Sequence, residues 1–201
     1  MRNIVNDEKY MKERSEINQY FGEEYLKPME TKNIISPSGT YALKIYYYEH
    51  KEGNIVYAYS KGVLNCKNGK TVEIKRNYDH FQFCWIEEKD YFLCGADYQG
   101  YSIVDLKNGE LKHYVPEEYY QGIGFCWVQV HYLHDNDIIA VEGCYWGAPY
   151  DIVFYDFSKP MELPYKELLR VAGYDTAIGW KNKRLFEYFD EETKEIKEVR
   201  L

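Results

Sequence analysis

Two periods of hydrophobic and polar residues divide the chain. Across 7–26, Tyr10, Ile17, Tyr20, Phe21 and Tyr25 stand among charges at a loose helical spacing. Pro28 closes that run, because its ring removes a backbone donor and clashes with the preceding turn. Beyond it the spacing changes to short alternating or wholly apolar runs, separated by "SPSG", "KEGN", "KNGK", "KNGE" and "DFSKP". Gly, Pro, Asn, Asp and Ser in such clusters are turn formers, so the pattern predicts antiparallel sheet built from hairpins.

The tripeptide "FCW" occurs at Phe83 and again at Phe125, and aligning the turns explains the recurrence. "SPSG" at 36–39, "EEKD" at 87–90, "HDND" at 134–137 and "KNKR" at 181–184 follow one another at spacings of 51, 47 and 47. An apolar strand precedes each turn (Ile34 and Ile35; Phe83 to Ile86; Phe125 to Leu133; Ile178 to Trp180) and another follows it (Tyr41 to Tyr48; Tyr91 to Cys94; Ile138 to Cys144; Leu185 to Phe189). A third strand, a second tight turn and a polar fourth strand complete the unit. A four-stranded unit of roughly 40 to 50 residues, repeated, is the sequence sign of a propeller blade. The aromatics just before the turns, Phe83, Trp85, Phe125, Trp127 and Trp180, are expected inside.

The chain resembles WD40-like repeats over about 31–200. "SPSG" sits where those proteins turn between inner strands, and "YSIVDLKNGEL" and "DIVFYDFSKP" look like third strands ending in the Asp-containing turn. Neither a "WD" dipeptide nor a "GH" pair is present, and a likeness of fold lends no function. "CGADYQG" and "GFCW" also resemble uncharacterised bacterial proteins, a resemblance that implies no activity. The fold class expected is all-β: four-stranded antiparallel modules in a propeller-like arrangement, closed or open, with a short N-terminal helix. Residues 1–30 would form the helical segment and 31–201 a β-repeat domain of about four modules. The last module, 176–201, has room for only three strands, and "RNIV" at 2–5 is the early candidate to close the ring; without it the ring stays open.

Composition narrows the partners. A chain of 201 residues can bury about 70% of its unfolded surface. Aromatic residues reach 18% with 23 tyrosines, which suit both strands and interfaces. The net charge of -8 argues against nucleic-acid binding, which needs clustered Lys and Arg, and fits either a protein that its charge simply keeps in solution or one that meets a cationic partner. No run approaches the ~20 apolar residues of a membrane span, and no secretory pattern follows Met1, so the expected location is the cytoplasm. Five cysteines without a CxxC pair speak against a disulfide framework and a zinc site, and read as small buried hydrophobes.

Alternate connections of a blade emerge on opposite faces. The tight turns carry ordinary solvated residues. The other face collects "RNYDHF", "CGADYQG", "EEYYQGIGF" and "GCYWGAPY", whose glycines, Gly147 among them, fit tight bends. Loops on a rigid scaffold are where binding usually sits. The predicted site is therefore Arg76, Tyr78, Asp97, Tyr98, Gln99, Tyr120, Glu142, Trp146 and Tyr150. Tyr98, Tyr120, Trp146 and Tyr150 would be apolar anchors, Asp97 and Glu142 the charges, and Arg76 and Gln99 the orienting donors. No catalytic residue, metal or cofactor is assigned: "HYLH" at His131 to His134 needs a distant third ligand. The expected function is a non-enzymatic binding protein for a protein partner, with an immunity-type inhibitor of a cationic toxin as a special case. The alternative is carbohydrate binding or glycoside processing, with Asp97 and Glu142 as a carboxylate pair.

Overall fold

The computed structural model describes residues 2–27, 31–146, 149–173, 176–190 and 192–201. Pro28, which ends the helix in the sequence reading, and Gly147 lie outside the described residues. One helix, α1 (Glu8–Asn18), runs into two short 3-10 turns, Gln19–Phe21 and Glu23–Tyr25. Four antiparallel meanders follow. The first is β1 (Lys32–Ile35), β2 (Ala42–Glu52), β3 (Ile55–Asn65) and β4 (Thr71–Arg76). The second is β5 (Phe83–Ile86), β6 (Tyr91–Gly95), β7 (Tyr101–Asp105) and β8 (Glu110–Tyr114). The third is β9 (Cys126–Tyr132), β10 (Ile138–Cys144), β11 (Asp151–Asp156) and β12 (Glu167–Ala172). The fourth has three strands: β13 (Thr176–Asn182), β14 (Leu185–Asp190) and β15 (Glu195–Arg200). The fold is an open, propeller-like array of modules.

Side-chain alternation stacks the sheets face to face. Neighbouring residues of a strand point to opposite faces, so a strand buried at consecutive positions must be covered on both. Strand β6 sends Phe92 and Cys94 into the core shared with the first sheet and Leu93 into the core shared with the third. Strand β7 divides Val104 and Ile103 in the same way. On the third sheet, Ile139, Val141 and Val153 face the second sheet, while Ala140, Ile152 and Phe154 face Phe186 and Val199 of the fourth. Trp127 and Phe125 are buried in the seam between the second and third sheets, and Phe83, Trp85 and Trp180 are partly buried.

The aligned turns meet in space. Glu87 of the second module accepts from the Ser38 amide of the first at 3.0 Å. Lys89 donates to the Asn136 carbonyl at 3.0 Å and to Asp137 at 2.6 Å, and Asn136 donates to the Lys183 carbonyl at 3.3 Å. The turn face, expected to be merely solvated, is therefore laced from module to module.

The "RNIV" segment does not close a ring. Ile4 is fully buried and donates its amide to Val115 at 3.0 Å, with Asn3 bridging Pro116, so it extends the end of the second sheet and not the fourth. Helix α1 lies over the same end: Tyr10 packs with Ala96 and Val115, and Phe21 reaches Tyr48 and Tyr59 on the long β2–β3 hairpin. Among the described residues no helix is long and apolar enough to cross a membrane.

Candidate functional site

The predicted loop face is built on a buried polar foundation. Arg76 ends β4 with no exposed surface, although a guanidinium has high affinity for water. It is held by oxygen atoms of neutral groups: Nη2 donates to Gln82 Oε1 at 2.7 Å and to the Asp97 carbonyl at 3.3 Å. Its charge also lies over the Tyr78 ring at 4.2 Å. Gly95 makes the space, since a Cβ there would fall 2.7 Å from Nη2. Burial lowers the Arg76 pKa to about 10.

Asp97 is 3% exposed. Its Oδ1 accepts from Arg14 Nη1 at 2.6 Å and the Asn77 amide at 3.2 Å, and Oδ2 accepts from the Tyr10 hydroxyl at 2.8 Å. Both Asp97 and Arg76 therefore position the loops from beneath. Asp97 and the Arg76 Nη atoms bond within the fold, whereas Arg76 Nε has no hydrogen bond among the described residues. Gln99 is buried too, its Oε1 without a hydrogen bond among the described residues.

Above this foundation the rings reach solvent. Tyr78, itself buried, stacks on Tyr98 at 4.5 Å and 20°, and Tyr98 meets Trp146 at 5.4 Å and 47°. Tyr98 is 42% exposed and Trp146 53%. A buried cation, a buried ring and two exposed rings thus form one ladder. The backbone is strained where it presents them: Asp97 has φ 50° and Trp146 φ 36°, left-handed values that a bulky residue adopts only when its surroundings demand it. Tyr150 is exposed at the entrance to β11. Asp79 is exposed and raises the Tyr98 phenol electrostatically, second to the effect of burial.

The other predicted residues fall elsewhere. Tyr120 joins the cluster under α1, with Lys9 over its ring at 4.2 Å. Glu142 lies within β10, mostly buried, against His131 of β9. Asp97 and Glu142 take different partners, and Glu142 belongs to a strand and not to a loop. Among the described residues Ser102 Oγ lies 2.7 Å from His113 Nδ1, with Ser102 fully buried. Sequence reasoning missed Tyr10, Arg14 and Gln82. Tyr10 and Arg14 lie four apart on a helix, on one face, which is the signal that could have found them.

No family model matches the chain. An uncharacterised protein of Acanthamoeba polyphaga mimivirus is 34% identical over 134 residues, covering 65% of this chain and 52% of that protein. The chain therefore spans about half the length of the curated relative it matches, and that relative is viral where the sequence resemblance was to bacterial proteins. TolB from Acinetobacter baumannii aligns over 87% of this chain and 44% of its own, with a TM-score of 0.40 and 12% identity, too distant a likeness to carry an argument. The fold assignment rests on the four sheets themselves.

Proposed function

We propose that this is a non-enzymatic binding protein that presents Tyr98, Trp146 and Tyr150 to a protein partner. The observation that carries the reading is the exposed Tyr98–Trp146 pair, set on left-handed backbone at Asp97 and Trp146 over a buried support. Tyr and Trp supply large contact area with few rotatable bonds, and are the residue types on which interface energy concentrates. The chain's charge of -8 and Asp79 beside Tyr98 favour a partner rich in Lys or Arg, whose cations can lie over the exposed rings. Neutralisation of a cationic toxin is one form this takes, and the setting is cytoplasmic.

The test is capture of partners from the native cell, followed by titration of the purified partner. Tyr98→Ala and Trp146→Ala should each weaken binding by about thirtyfold, corresponding to ~2 kcal/mol. Glu88→Ala, in a turn of the opposite face where its carboxylate meets the exposed His134 at 3.4 Å, should leave it unchanged; Lys67 is a poorer control because it bridges the buried Asp90. Thermal melts establish that each variant is folded. Normal binding by folded Tyr98 and Trp146 variants sinks the proposal.

One observation favours the second reading, a small polyhydroxylated ligand. A cavity of about 100 Å³ between the second and third sheets is walled by Tyr101, Trp127, Tyr155 and Tyr165. The Tyr114 hydroxyl and Glu118 Oε2, on residues that line it, are buried with no hydrogen bond among the described residues. Saturation of the Trp127 fluorescence by a sugar, lost in Tyr114→Phe, would favour it over the protein partner.

A further inference from the structure

Five free cysteines are spread over the three complete sheets, and the strand register sets two of them opposite each other. Cys144, the last residue of β10, pairs with Cys126, the first of β9, just past a register shift between Glu142 and Gly143. Directly opposed residues of antiparallel strands project to the same face with Cα atoms ~4.5 to 5.5 Å apart. A disulfide needs ~4.4 to 6.8 Å, so the backbone meets its requirement without moving. The strands approach closely here: a Cβ on Gly143 would lie 2.3 Å from the Cys126 carbonyl oxygen. Both thiols are only half-buried, unlike Cys66 and Cys94. Cys144 is two residues from Trp146, whose ring packs on Tyr98, so the pair lies at the root of the exposed aromatic ladder.

We propose that Cys126 and Cys144 are a cross-strand dithiol site that closes to a disulfide by exchange with a small-molecule disulfide of the glutathione type. Burial holds the Cys126 thiol protonated, up at about 11, so exchange begins at Cys144. Its thiolate attacks one sulfur of the small disulfide, forming a mixed disulfide and expelling one thiolate. Cys126 then attacks the Cys144 sulfur, its proton passing to the second expelled thiolate. The protein loses two protons and two electrons, and one small disulfide takes them up to become two thiols. Closure ties the start of β9 to the end of β10 and fastens the Trp146 loop. The inference stands on strand register alone and holds whether or not the aromatic ladder binds a partner.

The experiment equilibrates the full chain in glutathione buffers of rising oxidised fraction, quenches by alkylation, and reads intact mass and a peptide map. The expected result is loss of two thiols together, no retained glutathione, and a single linked peptide pair containing Cys126 and Cys144. Cys126→Ser should instead retain one glutathione on Cys144. Five alkylated thiols in the most oxidising buffer, a link through any other cysteine, or a mixed disulfide that persists in the wild type overturns the proposal. The wild-type map decides the matter even where the Ser variant fails to fold.

Discussion

The carboxylate of Asp97 joins helix α1 to two loops, accepting from Arg14, Tyr10 and the Asn77 amide at once. Its side chain is 2% exposed and that of Arg14 17%, so the pair is largely withdrawn from water. Asp97→Asn keeps the shape but leaves the guanidinium facing a neutral amide. Removing one partner of a buried pair typically costs ~3 kcal/mol or more, and urea unfolding followed by circular dichroism should show a loss of that size. Arg14→Leu should cost less than Arg14→Ala where the aliphatic stem packs, and the contrast separates lost charge from lost contact. Asp97 was legible in the sequence as a special loop residue and not as a structural one. Its cationic partner comes from 83 positions earlier, and no local pattern connects a helix to a loop across that distance. Tyr98 and Trp146 were legible because a large ring in a Gly-rich loop is unusual in itself.

At the scale of elements, the strands that read well are those whose limits are set by turn chemistry. Phe83 to Ile86 and Ile138 to Cys144 appear in the fold as they appear in the sequence. The first hairpin reads too short, because β2 and β3 continue pairing from Glu49↔Ala58 out to Glu52↔Ile55. The cause is tertiary: Tyr20 after α1 stacks on His50 at 4.2 Å and on Tyr59 at 5.5 Å, covering the extension. The turn between β5 and β6 carries a second prediction. Asp90 there accepts from the Tyr41 hydroxyl and from Lys67 at 2.5 Å, with Lys107 at 3.2 Å. Burial alone would raise its pKa, but the hydrogen bonds from Lys67 and Tyr41 overcome that and hold it at about 2. An unfolded Asp titrates near ~3.9, so the unfolded chain binds the proton first and the contribution, full above ~4, is lost as pH falls toward about 2. Asp90→Asn should flatten the acid limb of the stability curve between those values, and an unchanged limb would show that other carboxylates set it.

Across the whole molecule, stability should be graded along the array, because in a stack of modules each one is held by its neighbours. The second and third sheets are covered on both faces by the cores they share with the sheets beside them. The first has the second on one side, and its hairpin is covered by the segment that follows α1. The fourth sheet has three strands and, among the described residues, one core, the small group around Phe154 and Phe186. Its inner strand leaves Ile178 48% exposed, and Ile196 on β15 is 60% exposed. Native-state hydrogen exchange should therefore find the amides of β13 to β15 opening well before those of β6, β7, β10 and β11. Two tryptophans turn this gradient into a mutational contrast. Trp127 is buried in the central seam, stacked on Tyr101 at 4.4 Å, and Trp127→Ala should lower global stability by ~3 to 5 kcal/mol. Trp180 lies in the last seam, donating to the His131 carbonyl at 3.0 Å. Trp180→Ala should speed exchange throughout the fourth sheet while leaving β6 and β7 protected at the wild-type level. Equal acceleration of all four sheets by Trp180→Ala would mean that the array unfolds as one cooperative unit, and the module-by-module account of its stability would be wrong.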